Sequence, residues 1–504
     1  MRHFGLSKSK IAIFEQCPKR LWLSVHRPDE TVIDAATQAK FDVGHQVGEL
    51  ACDVYPDGIM VEVDPDMEAA LQKTAELISL EPPRPIFEAT FRREGVLVRV
   101  DLMLPAGEGK WHVAEVKSST SAKPYQISDL ATQIWVLEGC GVRIASASIR
   151  HIDSDFTYLG DEDFSLLLKD HRADDVIIPI MATRSAMARD ALATLQGPEP
   201  VREIGDHCSQ PFSCPFEGYC SQGVAQAEWP ISLLPNTGKR LAKKWAEVGI
   251  VELGDLDEQE MTNELHRRVH RASVSGDCYH DFEGARGAIS DWRSPSAYLD
   301  FETIAFAVPR WAGTRPYQAV PFQFSAHVEQ PDGSLVYRQF LDLSGRDPRR
   351  ACAEALLDAL PGDGAIIAYF ATFERSRVQE LAAQFIDLAP QLLSLADRIV
   401  DLLPVARAHY YHRDQRGSWS IKSVLPTIAP DLAYTDLEVG DGNAAQLAFE
   451  EAIRPDTDPE RREQIEESLL RYCELDTWAM VILKARLADA APPARPRLAL
   501  GPKP

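Results

Sequence analysis

Four cysteines constrain this 504-residue chain more than any other feature. Cys17 stands alone in FEQCPKRLWL, and Cys208, Cys214 and Cys220 follow far downstream in HCSQPFSCPFEGYC, with five residues between successive members. Evenly spaced cysteines in a loop of Pro and Phe have no packing rationale, whereas four thiolates are the ligand set of a [4Fe–4S] cluster or a tetrahedral zinc. A group held this way would staple the amino terminus to the far end of a domain. Cys52, Cys140, Cys278, Cys352 and Cys473 read instead as small buried hydrophobes, and His207 beside Cys208 as incidental.

The length predicts about three domains. The sequence carries 53 basic and 76 acidic residues, a formal charge of −23, and is 45% hydrophobic, the composition of a globular protein. An acidic total opposes non-specific binding of phosphate, which depends on Lys and Arg releasing counterions. A metal-dependent nuclease site is itself built of carboxylates, so the total leaves nucleases open. No apolar run approaches the roughly 18 residues of a spanning helix, and charges interrupt the amino-terminal apolar stretch too early for a signal peptide. The expectation is a cytoplasmic protein with reduced thiols and no membrane partner.

Periodicity predicts an α/β chain, mixed α+β, in four parts. Residues 1–225 form a mixed unit, with strand-like alternation at Phe87–Leu104 and Trp111–Val116 and a helix at Ile127–Gly139. Residues 226–290 form a helical connector, 291–490 a second mixed domain, and 491–504 a disordered Pro-, Ala- and Arg-rich tail. In the first unit VRVDLML puts Asp101 on one strand, and HVAEVKSS puts Glu115 and Lys117 two apart on the next. Alternation projects those two to one face, where a carboxylate can hold a cation and an ammonium can orient water. The spacing resembles the PD-(D/E)xK nucleases of restriction-endonuclease-like fold, in their RecB-like branch. That resemblance implies a metal ligand at His45 in FDVGHQVGEL and, on the helix DLATQIWVLEGCGV, a nucleic-acid contact at Gln133, although Asp129 and Gln133 depart from the branch's QxxxY pattern. The cysteine arrangement is similar to that of iron–sulfur RecB-like nucleases, which implies a [4Fe–4S] cluster rather than zinc.

In the second domain AYLDFET places Asp300 and Glu302 on one strand face, Glu374 follows the apolar run AIIAYF, and RYCELDTW carries Tyr472 and Asp476 at i and i+4 on one helix face. Together these resemble the DEDD exonucleases of RNase H-like fold, in the subclass that uses Tyr; Glu374 stands where Asp is usual. The resemblance implies Mg²⁺ or Mn²⁺ held by Asp300, Glu302, Glu374 and Asp476, with Tyr472 positioning the nucleophilic water. Lys19 and Arg20 near the first cysteine, and Gly238, Lys239 and Arg240 in a connector resembling a helix-hairpin-helix, are expected to contact nucleic acid. So is the aromatic and basic run His409–Pro426. The fusion resembles a bacterial family grouped with RecB-family nucleases whose carboxy-terminal half is a domain of unknown function. It implies a metal-dependent nuclease acting on DNA, on single strands or ends, alongside repair or defence proteins. The alternative is a catalytically inactive, cluster-stabilised nucleic-acid-binding adaptor.

Overall fold

The structure, a computed structural model, describes residues 5–31, 35–223, 227–432, 434 and 437–496. It is mixed α/β and divides into two compact units: 1–224 with 306–318, and 225–305 with 319–504. The segment 227–290 is therefore part of the second unit rather than a separate connector.

The first unit is built on strands β1 (Leu6–Ser7), β2 (Ile59–Met60), β3 (Ile86–Arg93), β4 (Val96–Pro105), β5 (Trp111–Lys117), β6 (Ile144–Ile152) and β7 (Leu168–Arg172), ordered β2-β3-β4-β5-β6-β7. The expected stretch Phe87–Leu104 is a hairpin: Glu94 and Gly95 both take positive φ (49° and 80°), the two-residue turn whose twist matches that of the flanking strands. β1 pairs in parallel with the start of β4, Leu6 opposite Val96, while β5 pairs only with the end of β4, Leu102 to Pro105. On one face lies helix α1 (Pro124–Gly139), whose Leu130, Ala131 and Ile134 pack with Val98, Val100 and Val113. The other face receives helix Ala35–Asp53, where Ala51 packs with Leu102 and Ala114, and Val47 with Val116.

The second unit contains a two-stranded ribbon, β8 (Tyr279–His280) with β14 (Tyr410–Tyr411), and a five-stranded sheet. That sheet comprises β9 (Ala297–Ile304), β10 (Val320–Glu329), β11 (Leu335–Leu341), β12 (Ile366–Ala368) and β13 (Ile399–Asp401), ordered β11-β10-β9-β12-β13. β9, β10 and β11 are antiparallel, and β12 and β13 continue in parallel from β9. Phe301, Phe324, Ala326 and Ile366 meet Leu356, Val378 and Leu395 in the core of one face. Alternate residues of β10, Gln323, Ser325 and His327, would suit a solvent face, yet all three are fully buried. They meet helix α2 (Pro459–Leu487): Gln323 Nε2 donates to the Leu469 carbonyl (2.9 Å), Ser325 Oγ to the Cys473 carbonyl (2.6 Å), and His327 Nδ1 lies 2.9 Å from Thr477 Oγ1. These bonds offset much of the cost of burial, although Gln323 Oε1 and His327 Nε2 have no hydrogen-bond partner among the described residues. Of the expected tail, 497–504 lies outside the described residues, and Arg495 is held rather than loose: its Nε donates to buried Glu474 Oε1 (3.0 Å). Among the described residues no helix is long and apolar enough to cross a membrane.

Candidate metal centres

In the first unit β5 turns Glu115 toward α1, where burial would by itself raise its pKa. Lys117 and Lys8 reverse that and hold it well below the carboxylate range. Glu115 Oε1 accepts from Lys117 Nζ (2.7 Å) and from Lys8 Nζ (2.6 Å), and Oε2 accepts from Gln133 Nε2. Lys8 arrives because β1 pairs with β4 and hands the chain directly into the helix Lys8–Gln16. Asp101 Oδ2 accepts from the Val116 backbone N–H at 2.7 Å. Burial, reinforced by the neighbouring Glu115 charge, pushes Asp101 up to about 7.

One expectation needs correction here. Gln133 is fully buried and supports Glu115, so it presents nothing to a nucleic acid. His45 stands exposed on helix Ala35–Asp53, which packs on the Ala114 and Val116 face, whereas Glu115 turns to Gln133 on the other. Lys19 Nζ pairs with Glu199 at 3.1 Å, and Arg20 is bonded to Gln16 and near the Cys17 and Cys214 thiols. Both basic residues lie beside the cysteine loop.

Cys17, Cys208, Cys214 and Cys220 are all free and line one small cavity with Arg20 and His207. Gln16 Nε2 bridges the loop, donating to the carbonyls of His207 and Phe212 at 2.7 Å each. Among the described residues no three of these sulfurs lie within 4.8 Å of one another. A tetrahedral zinc about 2.3 Å from each sulfur needs separations of about 3.8 Å.

The second unit gathers its acids more tightly. β9 supplies Asp300 and Glu302, the first turn of helix Thr372–Gln384 supplies Glu374, and α2 supplies Tyr472 and Asp476; all five line an open cleft of about 380 Å³. Burial is the main cause of every carboxyl shift: Asp300 lies well above its usual range, Glu302 and Glu374 reach about 8, and Asp476 about 6. Mutual repulsion adds to the shift at Asp300 and Glu302, while Tyr434 and Lys422 moderate that of Asp476. Tyr434 donates its hydroxyl to Asp476 Oδ1 (2.6 Å), and Lys422 Nζ donates to Tyr472 Oη (2.8 Å) and to the Gly440 carbonyl (3.0 Å). Lys422 and Tyr434 escaped sequence reasoning as site residues. Lys422 lay inside the aromatic and basic run, but Tyr434 had no local signal.

In the segment expected to bind phosphate, Lys239 and Arg240 are exposed. Gly238 is buried with a packing role, since an added Cβ would lie 2.4 Å from the Ser232 carbonyl oxygen.

Residues 297–420 match the profile of a domain of unknown function, DUF2779, which includes Asp300, Glu302 and Glu374 but stops short of Tyr472 and Asp476. The chain is 26% identical over 217 residues to the uncharacterized protein MG366 homolog of Mycoplasma pneumoniae, across 39% of this chain and 32% of that protein. Among solved structures it is similar to the crystal structure of SSO0001, at 14% identity over 45% of this chain and 90% of that one. The TM-score is 0.24, too low to carry any argument.

Proposed function

We propose that this protein is a divalent-metal-dependent nuclease that hydrolyses phosphodiester bonds of DNA, exonucleolytically on single strands or ends, in repair, recombination or defence. The observation that carries this reading is the convergence of Asp300, Glu302, Glu374 and Asp476 on one cleft, with Glu374 Oε2 buried and without a hydrogen-bond partner among the described residues. Four carboxyls in so little water repel one another unless cations or protons intervene. Mg²⁺ or Mn²⁺ held by them would polarise a phosphoryl oxygen. Tyr472, whose oxygen accepts from Lys422, is hydrogen-bonded to Asp476 and so stands beside the carboxylates where an attacking water would be oriented. Burial, with the adjacent carboxylates, holds that phenol protonated. The RNase H-like, DEDD-type reading of this unit draws support from placing the acid pair on the central strand β9.

For the first unit we read a RecB-like PD-(D/E)xK domain with a [4Fe–4S] cluster on Cys17, Cys208, Cys214 and Cys220, a reading that rests on the resemblance of the cysteine arrangement and on the four thiols lining one small cavity. Its Asp101, Glu115 and Lys117 constellation is also open to the adaptor reading, because both Glu115 oxygens are already engaged by Lys8, Lys117 and Gln133. The test is degradation of end-labelled single-stranded DNA, duplex and RNA with Mg²⁺ or Mn²⁺ after anaerobic purification. Loss in Asp300→Ala with retention in Lys117→Ala assigns catalysis to the second unit, and inactivity of wild type with every divalent ion defeats the nuclease reading.

A further inference from the structure

Helix α2 brings one side chain to the carboxylates that is neither acid nor tyrosine. Cys473 is fully buried, and its Sγ lies 3.8 Å from Asp300 Oδ2. This sulfur, one Asp300 oxygen and one Glu302 oxygen all lie within 4.8 Å of one another, a grouping of ligand atoms that no other His, Cys, Asp or Glu set among the described residues matches. A cation about 2.3 Å from sulfur and about 2.1 Å from oxygen would span a 3.8 Å separation at an angle of roughly 120°, within the range of low-coordinate sites. An independent observation points to a cation as well: Glu374 is 3% exposed, its Oε2 has no hydrogen-bond partner among the described residues, and it lines the same cleft. A cysteine that merely fills space turns its sulfur to apolar neighbours. Cys473 turns its sulfur to Asp300, 3.8 Å from both its Oδ2 and its backbone carbonyl oxygen, and Ser325, by donating to the Cys473 carbonyl, fixes that turn of the helix against β10.

We propose that Cys473 is a protein ligand of the cation held by Asp300 and Glu302, and that its sulfur shifts this one position of the divalent-metal site toward softer ions, Mn²⁺ ahead of Mg²⁺ and Zn²⁺ or Cd²⁺ ahead of both. The inference rests on reading Asp300 and Glu302 as a cation site. Mg²⁺ demands oxygen ligands in near-octahedral array, so a sulfur in its shell replaces a water unfavourably, whereas borderline and soft ions gain from it. As the ion–sulfur bond forms the S–H bond breaks, and the proton leaves to solvent.

The test uses the full-length holoprotein, so that the other four-cysteine site stays loaded and cancels between variants. Cd²⁺ titration is followed by the thiolate-to-cadmium absorption in the ultraviolet. Tb³⁺ luminescence, sensitised by Tyr472 and Tyr434, reports the oxygen ligands alone. Losing a direct ligand should cost at least what losing a ligand's supporting partner costs, so Cys473→Ser should bind Cd²⁺ about tenfold or more weakly and lose its share of the absorption. Tb³⁺ binding should persist in that variant and disappear in Asp300→Asn. Cys473→Ala provides a second variant. In wild type alone, excess Mg²⁺ should displace Tb³⁺ but not Cd²⁺. Equal Cd²⁺ titrations in wild type and both Cys473 variants overturn the proposal and leave the carboxylate site standing. Tb³⁺ binding unaffected by Asp300→Asn removes the cation-site reading itself.

Discussion

The carboxyl cluster of the second unit should make the metal-free protein lose stability as pH rises, and bound cation should return it. Glu302 and Glu374, 7% and 3% exposed, are pushed from 4.5 to about 8, principally by burial. Between those values the folded state keeps a proton that the unfolded chain has released. Stability present below about pH 4.5 therefore falls with rising pH until about pH 8. At about 1.4 kcal/mol per pH unit, one such carboxyl is worth about 5 kcal/mol across that window, and because the two share one field we take a single carboxyl as the order of the effect. For a unit of this size that corresponds to about 10 °C or more in Tm. Calorimetric unfolding in chelator between about pH 5 and 8 should show this decline, and Mn²⁺ should restore most of the loss near pH 8 but little near pH 5, where protons compete. Glu374→Gln, which removes one ionisation, should flatten the decline and raise the chelated Tm near pH 8. Identical pH slopes in wild type and Glu374→Gln would refute the reasoning.

Further outcomes follow from the packing. Lys8→Met leaves Glu115, 1% exposed, with Lys117 and Gln133 only; breaking a fully isolated buried pair costs about 3–5 kcal/mol, so about 2 kcal/mol is expected from urea unfolding with one cation remaining. Gln16→Ala frees two carbonyls bonded at 2.7 Å, worth about 1 kcal/mol each, and should speed chelator bleaching of the colour expected from the cluster proposed on the cysteine site. Gly238→Ala forces a methyl to 2.4 Å from the Ser232 oxygen and should cost about 1–3 kcal/mol in thermal unfolding.

Much of the site was legible because its chemistry is locally spaced. Asp300 and Glu302 share a face of β9 through the period of two, and Tyr472 and Asp476 share a face of α2 through the i, i+4 rule; both pairs reach the same cleft. Other features had no local signature. The residues of α2 from Tyr472 to Leu483 are buried all round, so that part of the helix shows no amphipathic stripe, and Cys473 inside it looked like filler. The polar row of β10 would pass for a solvent face because its partners lie about 150 residues away, at Leu469, Cys473 and Thr477. That Lys8 reaches Glu115 was not legible either, since the pairing of β1 with β4 cannot be read from spacing.

Sequence by itself determined which side chains are available to do chemistry and which of them project together from one element. Those relations follow from bond geometry and from the strand and helix periods, which act over a few residues. Tertiary structure alone decided which elements meet. It set Lys8 and Gln133 on Glu115, Tyr434 on Asp476, and a sulfur beside Asp300. Contacts between segments so far apart in the chain are selected by how complementary faces bury and satisfy one another, which no short window of residues encodes.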